Sequence, residues 1–302
     1  MAALGLLLAF LLCWPAPALP AQKTPVFVTA SFLGRNRLFL EDLSREEIKV
    51  YENGQPREVE FFAGSEVPVV YGLLFDRALL PRAFEDLSPY QYGIPSAQAA
   101  VNVADQLVDL VLGRQVGWVA AYDQGMRVAL DFSPDGGRIK DTIRQLRGER
   151  TLEESSLYGA LFAAVKKMNQ RNERRRVVVL FLEVLDTGTG SKLKPLKNLL
   201  AASNVDLFVA SFAPRTATGR GLPPLQSEAS LRDLASVTAG DAYFSATEGI
   251  EGLGRRVSEQ IRTCYTIGFQ SESPPDSPAR LTIECTRPGV KVKSHSVVPN
   301  LR

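Results

Sequence analysis

Carboxylates follow two segments that are predicted to be buried strands. Asp76 ends the almost wholly apolar run Val67–Asp76, and Glu183 ends a second such run, with Asp186 three residues further on. Because open α/β sheets bind ligands at the carboxyl ends of their strands, these side chains are the candidate chemical groups. Carboxylate oxygens can hold a hard divalent cation, and paired carboxylates around a metal also serve hydrolases.

Each of these groups also has a purely structural interpretation. Aspartate is common where a strand ends in a turn, so Asp76 could cap the loop that follows it. Ser155 and Ser156 precede a helical pattern and are candidate N-caps, of which Ser155 is the better placed. Glu183 could pair with Arg77 instead of binding a metal. The residues alone leave both interpretations open.

The elements that must position these groups alternate along the chain. Apolar periodicity predicts strands at residues 67–76, 115–122, 127–132, 176–183, 205–212 and 242–245, and helices at residues 96–112, 135–146, 156–168, 193–203, 228–238 and 250–262. This alternation predicts an α/β fold with an open, doubly wound, mainly parallel six-stranded sheet. The hairpin at Gln124-Gly125 would add its one antiparallel edge strand.

Short strands are predicted on both sides of this α/β region. Residues 24–63 alternate as β structure around the hairpin signal Asn53-Gly54, and the chain returns to β structure after Cys264. Each set has too little core alone, so we expect the two to pair in a small β-sandwich-like subdomain. The predicted domains are residues 1–21, 22–66, 67–263 and 264–302, beginning with a signal peptide and ending with the returning strands.

Residues Met1–Ala21 contain no charged side chain and predict a secretory signal. The apolar run Ala2–Trp14 is shorter than the roughly 20 residues that cross a bilayer, and small residues follow it at a cleavage site. No later run has spanning length. We therefore expect a secreted or periplasmic protein with no membrane span after cleavage, in a compartment that permits disulfides.

Cys264 and Cys285 are the cysteines that remain after cleavage. Both lie in strand-like stretches, and a turn-rich segment separates them. A hairpin centred between Pro274 and Pro275 would place the two cysteines opposite each other, close enough to form a disulfide. Two buried free thiols are the alternative.

Composition argues against several classes of function. The formal charge of +2, from 35 Lys and Arg against 33 Asp and Glu, gives no basic excess for nucleic acid. The single histidine, His295, removes multi-His metal sites and most imidazole chemistry, and its alternation with valines predicts an exposed strand residue. The basic run Asn169–Arg176 predicts a solvated loop. No P-loop, nucleophile elbow or Cys–His pairing is present, which favours a protein that is not an enzyme.

Three segments carry a family likeness. The strand Tyr71–Asp76, the segment Ser156–Leu161 and the strand Val177–Asp186 resemble the von Willebrand factor type A (VWA) domain. More narrowly, the chain from about Val26 to Val298 is similar to bacterial VWFA-related proteins typical of acidobacteria. That narrower likeness rests on the leader at residues 43–56 and on the tail at residues 234–240 and 261–269.

The resemblance implies a metal-ion-dependent adhesion site (MIDAS). In the family, an Asp-x-Ser-x-Ser loop, a Thr and an Asp hold one divalent cation, whose hard oxygen shell suits Mg²⁺ or Mn²⁺. Asp76 matches the first position, but Ala78 and Leu80 stand where the serines are expected. Ser155 or Ser156 could replace the Thr. The resemblance thus implies a degenerate site.

In the third loop of that implied site, Glu183 stands where the family has its Asp. Asp76, Ser155 and Glu183 are therefore the remaining candidate metal ligands, and no bound cofactor is expected. Arg77 could supply the positive charge that a cation would provide. We expect an extracytoplasmic adhesion-type module that binds another protein without a metal. The alternative is a metal-dependent hydrolase using Asp76, Glu183 and Asp186.

Overall fold

The computed structural model describes residues 23–80, 94–112, 115–148, 156–182, 192–212, 224–274 and 277–299. The predicted signal peptide at residues 1–21 lies outside these ranges. No helix in the described ranges combines the length and the apolar character needed to cross a membrane.

The strands of the described residues fall into one large and two smaller sheets. In chain order they are β1 (Thr24–Leu33), β2 (Ile48–Glu52), β3 (Gln55–Arg57), β4 (Phe61–Ala63), β5 (Val69–Asp76), β6 (Val116–Tyr122), β7 (Met126–Ser133), β8 (Arg175–Leu182), β9 (Asp206–Ser211), β10 (Ala242–Phe244), β11 (Tyr265–Ser271), β12 (Leu281–Cys285) and β13 (Lys291–Ser294).

The helices of the described residues lie between β5 and β11. They are α1 (Ile94–Leu107), α2 (Gly136–Gln145), α3 (Leu157–Met168), α4 (Leu193–Ala202), α5 (Pro224–Ala235), α6 (Ser245–Glu248) and α7 (Ile250–Thr263). A π-helical turn, Val108–Leu112, follows α1, and 3₁₀ turns occur at Arg45–Glu47 and Arg77–Leu79.

The large sheet has six strands in the order β10-β9-β8-β5-β6-β7, all parallel except β7. Every residue of β5 is buried, because helices cover both faces of the sheet. One face packs against α1, α2 and α7, and the other packs against α3, α4 and α5. This arrangement confirms the predicted fold class, including the antiparallel edge strand.

Two glycines allow the central strands to carry large aromatic rings. Tyr71 on β5 lies opposite Gly117 on β6, and Gly72 lies opposite Trp118. A Cβ atom on Gly117 would lie 2.2 Å from the Tyr71 ring, and one on Gly72 would lie 2.1 Å from the Trp118 ring. Each ring therefore occupies the space of its neighbour's missing side chain, one on each face of the sheet.

The two smaller sheets combine strands from both ends of the described chain. One has the order β13-β1-β11-β4 and the other β12-β2-β3, and their pairs are antiparallel. A separate core lies between them and includes Val28, Phe32, Ile267 and Ile283. The predicted pairing of N-terminal and C-terminal strands is therefore confirmed. We call β1–β4 with β11–β13 the β unit, and residues 69–263 the α/β unit.

The structure corrects the predicted hairpin between the two cysteines. β11 is already paired on both sides, by β1 and β4, so β12 instead joins the other sheet beside β2, where Cys285 lies opposite Ile48. Cys264 and Cys285 are both free. The disulfide prediction was therefore wrong. Burial raises the pKa of the Cys264 thiol to about 12, so this thiol stays protonated at neutral pH.

A row of polar side chains on the β unit faces the α/β unit. Thr29 lies opposite Thr266, and the same pattern extended by one residue puts His295 opposite Thr29. Asp206, the first residue of β9, accepts a hydrogen bond from Thr29 Oγ1 at 2.6 Å and lies 3.0 Å from His295 Nε2. The backbone N–H of Ala239 also donates to Asp206. His295 is fully buried, so the prediction of an exposed residue was wrong.

A second set of hydrogen bonds extends this contact toward α7. Gln260 Nε2 donates to Ser31 Oγ at 2.9 Å and to the carbonyl of Ala239 at 2.8 Å, and Tyr243 donates to Gln260 Oε1 at 2.6 Å. Lys293 on β13 pairs with Asp241. We call this contact, centred on Asp206 and Gln260, the polar junction. It lies at the amino end of β9.

Of two arginines in the predicted solvated loop, Arg174 reaches across to the β unit and Arg175 stays within the α/β unit. Arg175 is buried, and its guanidinium donates to the carbonyl of Ile261 in the last turn of α7, where cations are favourable. Arg174 lies over the rings of Phe27 and Phe61, with its guanidinium carbon 4.0 and 4.5 Å from their centres. The loop prediction was wrong for Arg175, because it begins a buried strand.

Candidate functional site

Asp76 lies at the carboxyl end of β5 and caps the 3₁₀ turn that follows it. Its Oδ1 accepts a hydrogen bond from the backbone N–H of Ala78 at 2.9 Å. On β6, the paired residue Tyr122 donates its hydroxyl to Asp76 Oδ2 at 3.5 Å. The carboxylate is buried. The structure therefore gives Asp76 the capping role that was one of its two interpretations.

A buried ion pair lies beside this cap. Arg77 Nη1 is 2.8 Å from Asp123 Oδ2, and the two side chains are only 9% and 5% exposed. Arg127 approaches the same carboxylate oxygen at 3.2 Å but is 67% exposed. The backbone N–H of Gly125 donates to Asp123 Oδ1. We call Asp76, Arg77, Tyr122, Asp123 and Arg127 the crest.

The pKa of Asp123 reflects two opposing effects. Burial raises the pKa of this carboxyl, but the hydrogen bonds from Arg77 and Gly125 and the charge of Arg127 lower it by more. The net pKa lies below the usual value of 3.8. Asp123 is therefore ionised at neutral pH, and the positive charge of Arg77 is balanced inside the crest.

Asp123 also joins the crest to the start of α3. Its carbonyl accepts the backbone N–H of Ser156 at 2.6 Å, and Ser156 Oγ accepts the N–H of Gly159 at 3.3 Å as the N-cap of α3. The N-cap is thus Ser156, not the predicted Ser155, which lies outside the described residues. Sequence reasoning missed Asp123, although an Asp directly before Gln124-Gly125 is a typical turn residue.

Of the residues predicted to surround a metal, only Asp76 lies within the described ranges. Ser155, Glu183 and Asp186 lie outside them. Ala78 is exposed, and Leu80 is buried in the core beside Leu79. Within residues 23–80, 94–112, 115–148, 156–182, 192–212, 224–274 and 277–299, no three His, Cys, Asp or Glu side chains are grouped so as to hold a metal ion.

Solved structures with a similar fold include two of proximal thread matrix protein 1 from the mussel byssus. The one with a zinc-occupied MIDAS motif has a TM-score of 0.50 and 13% identity, covering 70% of this chain and 49% of that chain. The other has a TM-score of 0.51 and 12% identity, covering 70% and 51%. This chain therefore spans about half the length of the mussel protein, and identities this low show the fold alone.

Structures named as VWA domains are also among the neighbours. One from Catenulispora acidiphila has a TM-score of 0.49 and 9% identity, covering 91% of this chain and 73% of that chain. The chain matches no protein-family model and no curated protein. Its six-stranded, mainly parallel sheet with helices on both faces is a VWA-like fold.

Proposed function

We propose that this chain is an extracytoplasmic, adhesion-type module that binds another protein at its crest without a divalent metal. Support comes from the VWA-like fold and from one observation above all, the buried ion pair of Arg77 with Asp123. A guanidinium fixed at the crest balances a carboxylate that would otherwise need an external cation. Binding would then depend on the shape and hydrogen bonds of the crest.

The side chains around Asp76 support a degenerate MIDAS. Ala78 and Leu80 carry no oxygen, and Asp76 Oδ1 already accepts a backbone hydrogen bond. Mg²⁺ demands a near-octahedral shell of oxygen ligands at short distances, and these positions supply few of them. We infer that Asp76, with Ser155 and Glu183, is a remnant of a cation site and that no metal is retained.

We further propose that the chain is not an enzyme, that it is secreted or periplasmic, and that it belongs with the bacterial VWFA-related proteins of acidobacterial type. The apolar segment at residues 1–21 supports the location, and the leader and tail segments support the narrower family. The hydrolase alternative depends on Asp76, Glu183 and Asp186 acting together, and no observation favours that grouping.

Calorimetric titration of the purified protein with Mg²⁺ and with Mn²⁺ tests the absence of a metal. We expect no stoichiometric heat of binding and no rise in the unfolding temperature, since a ligand that binds the folded state raises its stability. Asp76→Ala serves as the matched variant. Stoichiometric uptake by the native protein that disappears in Asp76→Ala would contradict the proposal.

Partner capture from an extracytoplasmic fraction tests the location of binding. We expect a captured protein to remain bound in the presence of a chelator and to be lost with Arg127→Glu, which reverses an exposed charge at the crest. Lys49→Glu reverses an exposed charge on the β unit and should leave capture unchanged. Loss of the partner with chelator, or equal losses in both variants, would argue against a metal-independent crest.

A further inference from the structure

The turn after β1 presents an exposed leucine next to two arginines. Arg35, Asn36, Arg37 and Leu38 are all exposed, and Leu38 keeps 52% of its surface accessible. We call these four residues the Arg-Leu tip. Leu38 is one of the few large apolar side chains in the described residues that remain this exposed.

Hydrogen bonds hold the Arg-Leu tip in one shape. The N–H of Gly34 donates to the carbonyl of Leu38 at 2.9 Å, and the N–H of Arg37 donates to the carbonyl of Gly34 at 3.0 Å. Asn36 Oδ1 accepts the N–H of Leu38 at 3.1 Å. Arg37 has a φ of 61°, a left-handed conformation that is unfavourable for a non-glycine residue. The exposed leucine is therefore presented by a fixed, strained turn.

The positive charges of the tip are not neutralised by the described part of the chain. No carboxylate of the described residues lies within ion-pair distance of Arg35 or Arg37. The next acidic residues in sequence face elsewhere, since Asp42 pairs with Arg287 and Glu41 lies 4.0 Å from Arg262.

A third cation lies on the neighbouring strand. Lys291 of β13 is exposed and lies opposite Leu33, the last residue of β1 before the tip. It too has no ion-pair partner among the described residues. An exposed apolar side chain thus lies near three positive charges that have no ion-pair partner among the described residues.

We propose that the Arg-Leu tip is a docking point for an anionic lipid surface. Leu38 would enter the boundary between headgroups and acyl chains, while the guanidinium groups of Arg35 and Arg37 would remain at the phosphates. Charge complementarity favours an anionic surface. A lipid surface is favoured over a protein partner because one leucine on a narrow turn is far smaller than the area of about 1,000 Å² that a specific protein interface buries.

Vesicle sedimentation tests this docking. We expect the protein to bind vesicles of phosphatidylcholine mixed with phosphatidylglycerol and to bind vesicles of phosphatidylcholine alone much more weakly, with binding reduced by salt. Arg35→Gln and Arg37→Gln should each weaken binding to the anionic vesicles about fivefold. Leu38→Ser should weaken it by a similar factor, through lost apolar burial.

Control substitutions outside the Arg-Leu tip show whether loss of any exposed leucine or any exposed charge would weaken vesicle binding. Leu110→Ser removes a leucine of the same 52% exposure from the π turn after α1, and Arg138→Gln removes an exposed charge from α2. Both should leave vesicle binding unchanged. Arg37→Gly should weaken vesicle binding at least as much as Arg37→Gln while unfolding no earlier than the native protein, because glycine adopts a positive φ freely.

The apolar segment at residues 1–21 is identical in all of these variants, so any affinity it has for lipid cancels in the comparison. Equal binding by the native protein and both types of tip variant would overturn the proposal, as would equal losses in the Leu110 and Leu38 variants. The proposal does not depend on the crest, because metal titration and partner capture use other residues.

Discussion

Two guanidinium groups of very different exposure contact one carboxylate at the crest. Arg77 is buried against Asp123, whereas Arg127 is largely in solvent. An exposed ion pair contributes little to stability, but a buried charge that loses its partner is costly. The buried contact of Arg77 therefore dominates the effect of any change at Asp123.

Asp123→Asn should destabilise the protein at neutral pH and much less in acid. The lowered pKa of Asp123 means that its ionised form stabilises the fold fully above about pH 5, and that this stabilisation is lost as pH falls below 3.8. Urea unfolding at several pH values measures the free energy of unfolding of the variant and of the native protein. The difference between these two free energies should become smaller as pH falls.

Asp109→Asn is the control, because Asp109 is an exposed carboxylate paired with Lys140. Its effect should be small at every pH. The free energies of unfolding of Asp123→Asn and the native protein could instead differ by the same amount from neutral pH down to about pH 3. That result would show that the stabilisation does not depend on ionised Asp123.

For single residues, the sequence predicted where a residue lies in its strand better than which other residues it contacts. Asp76 was placed at a strand end, and its capping role was one of two open interpretations. Asp123 was missed because its importance comes from Arg77, a residue 46 positions away that packing brings to it. His295 was taken as exposed because alternation shows that a strand has two faces, but not that the α/β unit covers one of them.

Among the elements, β5 and β6 depend on a reciprocal fit of glycine and aromatic residues. Gly72→Ala should place a methyl group within the Trp118 ring, and Gly117→Ala should do the same at Tyr71. Since both rings are fully buried, relief requires the sheet to shift, and we expect a loss of about 1–3 kcal/mol for each variant.

Thermal or urea unfolding checks this expectation. Gly125→Ala is the matched control, because a Cβ atom at Gly125 would meet no atom of the described residues within 4 Å. Its unfolding free energy should change far less. Equal stability of Gly72→Ala and the native protein would show that Trp118 has an alternative position in the core.

The sequence predicted the parallel strands β5, β6, β8 and β9 well because each is a long apolar run, and most of the helices well because their apolar residues recur with a clear helical period. The short segment between Cys264 and Cys285 was different. Two strand-like stretches around a turn predict a hairpin, but the free edge of β11 is taken by β4, which lies some 200 residues earlier. A local sequence pattern does not show which of two distant strands, β4 or β12, will pair with β11.

At the scale of the whole molecule, the polar junction fixes the β unit against the α/β unit. It lies at the amino end of β9, whereas the crest lies at the carboxyl ends of β5 and β6. The two sites therefore occupy opposite edges of the sheet. Changes at the junction can be used to test assembly of the units without altering crest side chains.

Thr29→Val should destabilise the protein by about 1.5–3 kcal/mol, because it removes a 2.6 Å hydrogen bond to the buried carboxylate of Asp206 and keeps the shape of the side chain. Thr266→Val is a matched control on the neighbouring strand. The Thr266 hydroxyl is buried and has no hydrogen-bond partner among the described residues, so its removal should be neutral or stabilising.

Urea unfolding measures the stability of both variants. Tryptophan fluorescence monitors the α/β unit, and proteolysis monitors the β unit. Coincident transitions are expected for the native protein, since the units share buried hydrogen bonds. Equal destabilisation by Thr29→Val and Thr266→Val would mean that packing of the methyl group, and not the bond to Asp206, sets the effect.

The antiparallel strands β4 and β11 are neighbours in one sheet, with Ala63 opposite Thr266. The whole α/β unit is therefore the connection between these two paired strands. Closing a loop of about 200 residues costs roughly 4 kcal/mol more chain entropy than closing a two-residue turn. A folded α/β unit removes that cost, so we expect it to fold first. Both strands that pair with β1, namely β11 and β13, lie near the C-terminal end of the chain. During synthesis β1 therefore remains unpaired with them until most of the chain has left the ribosome.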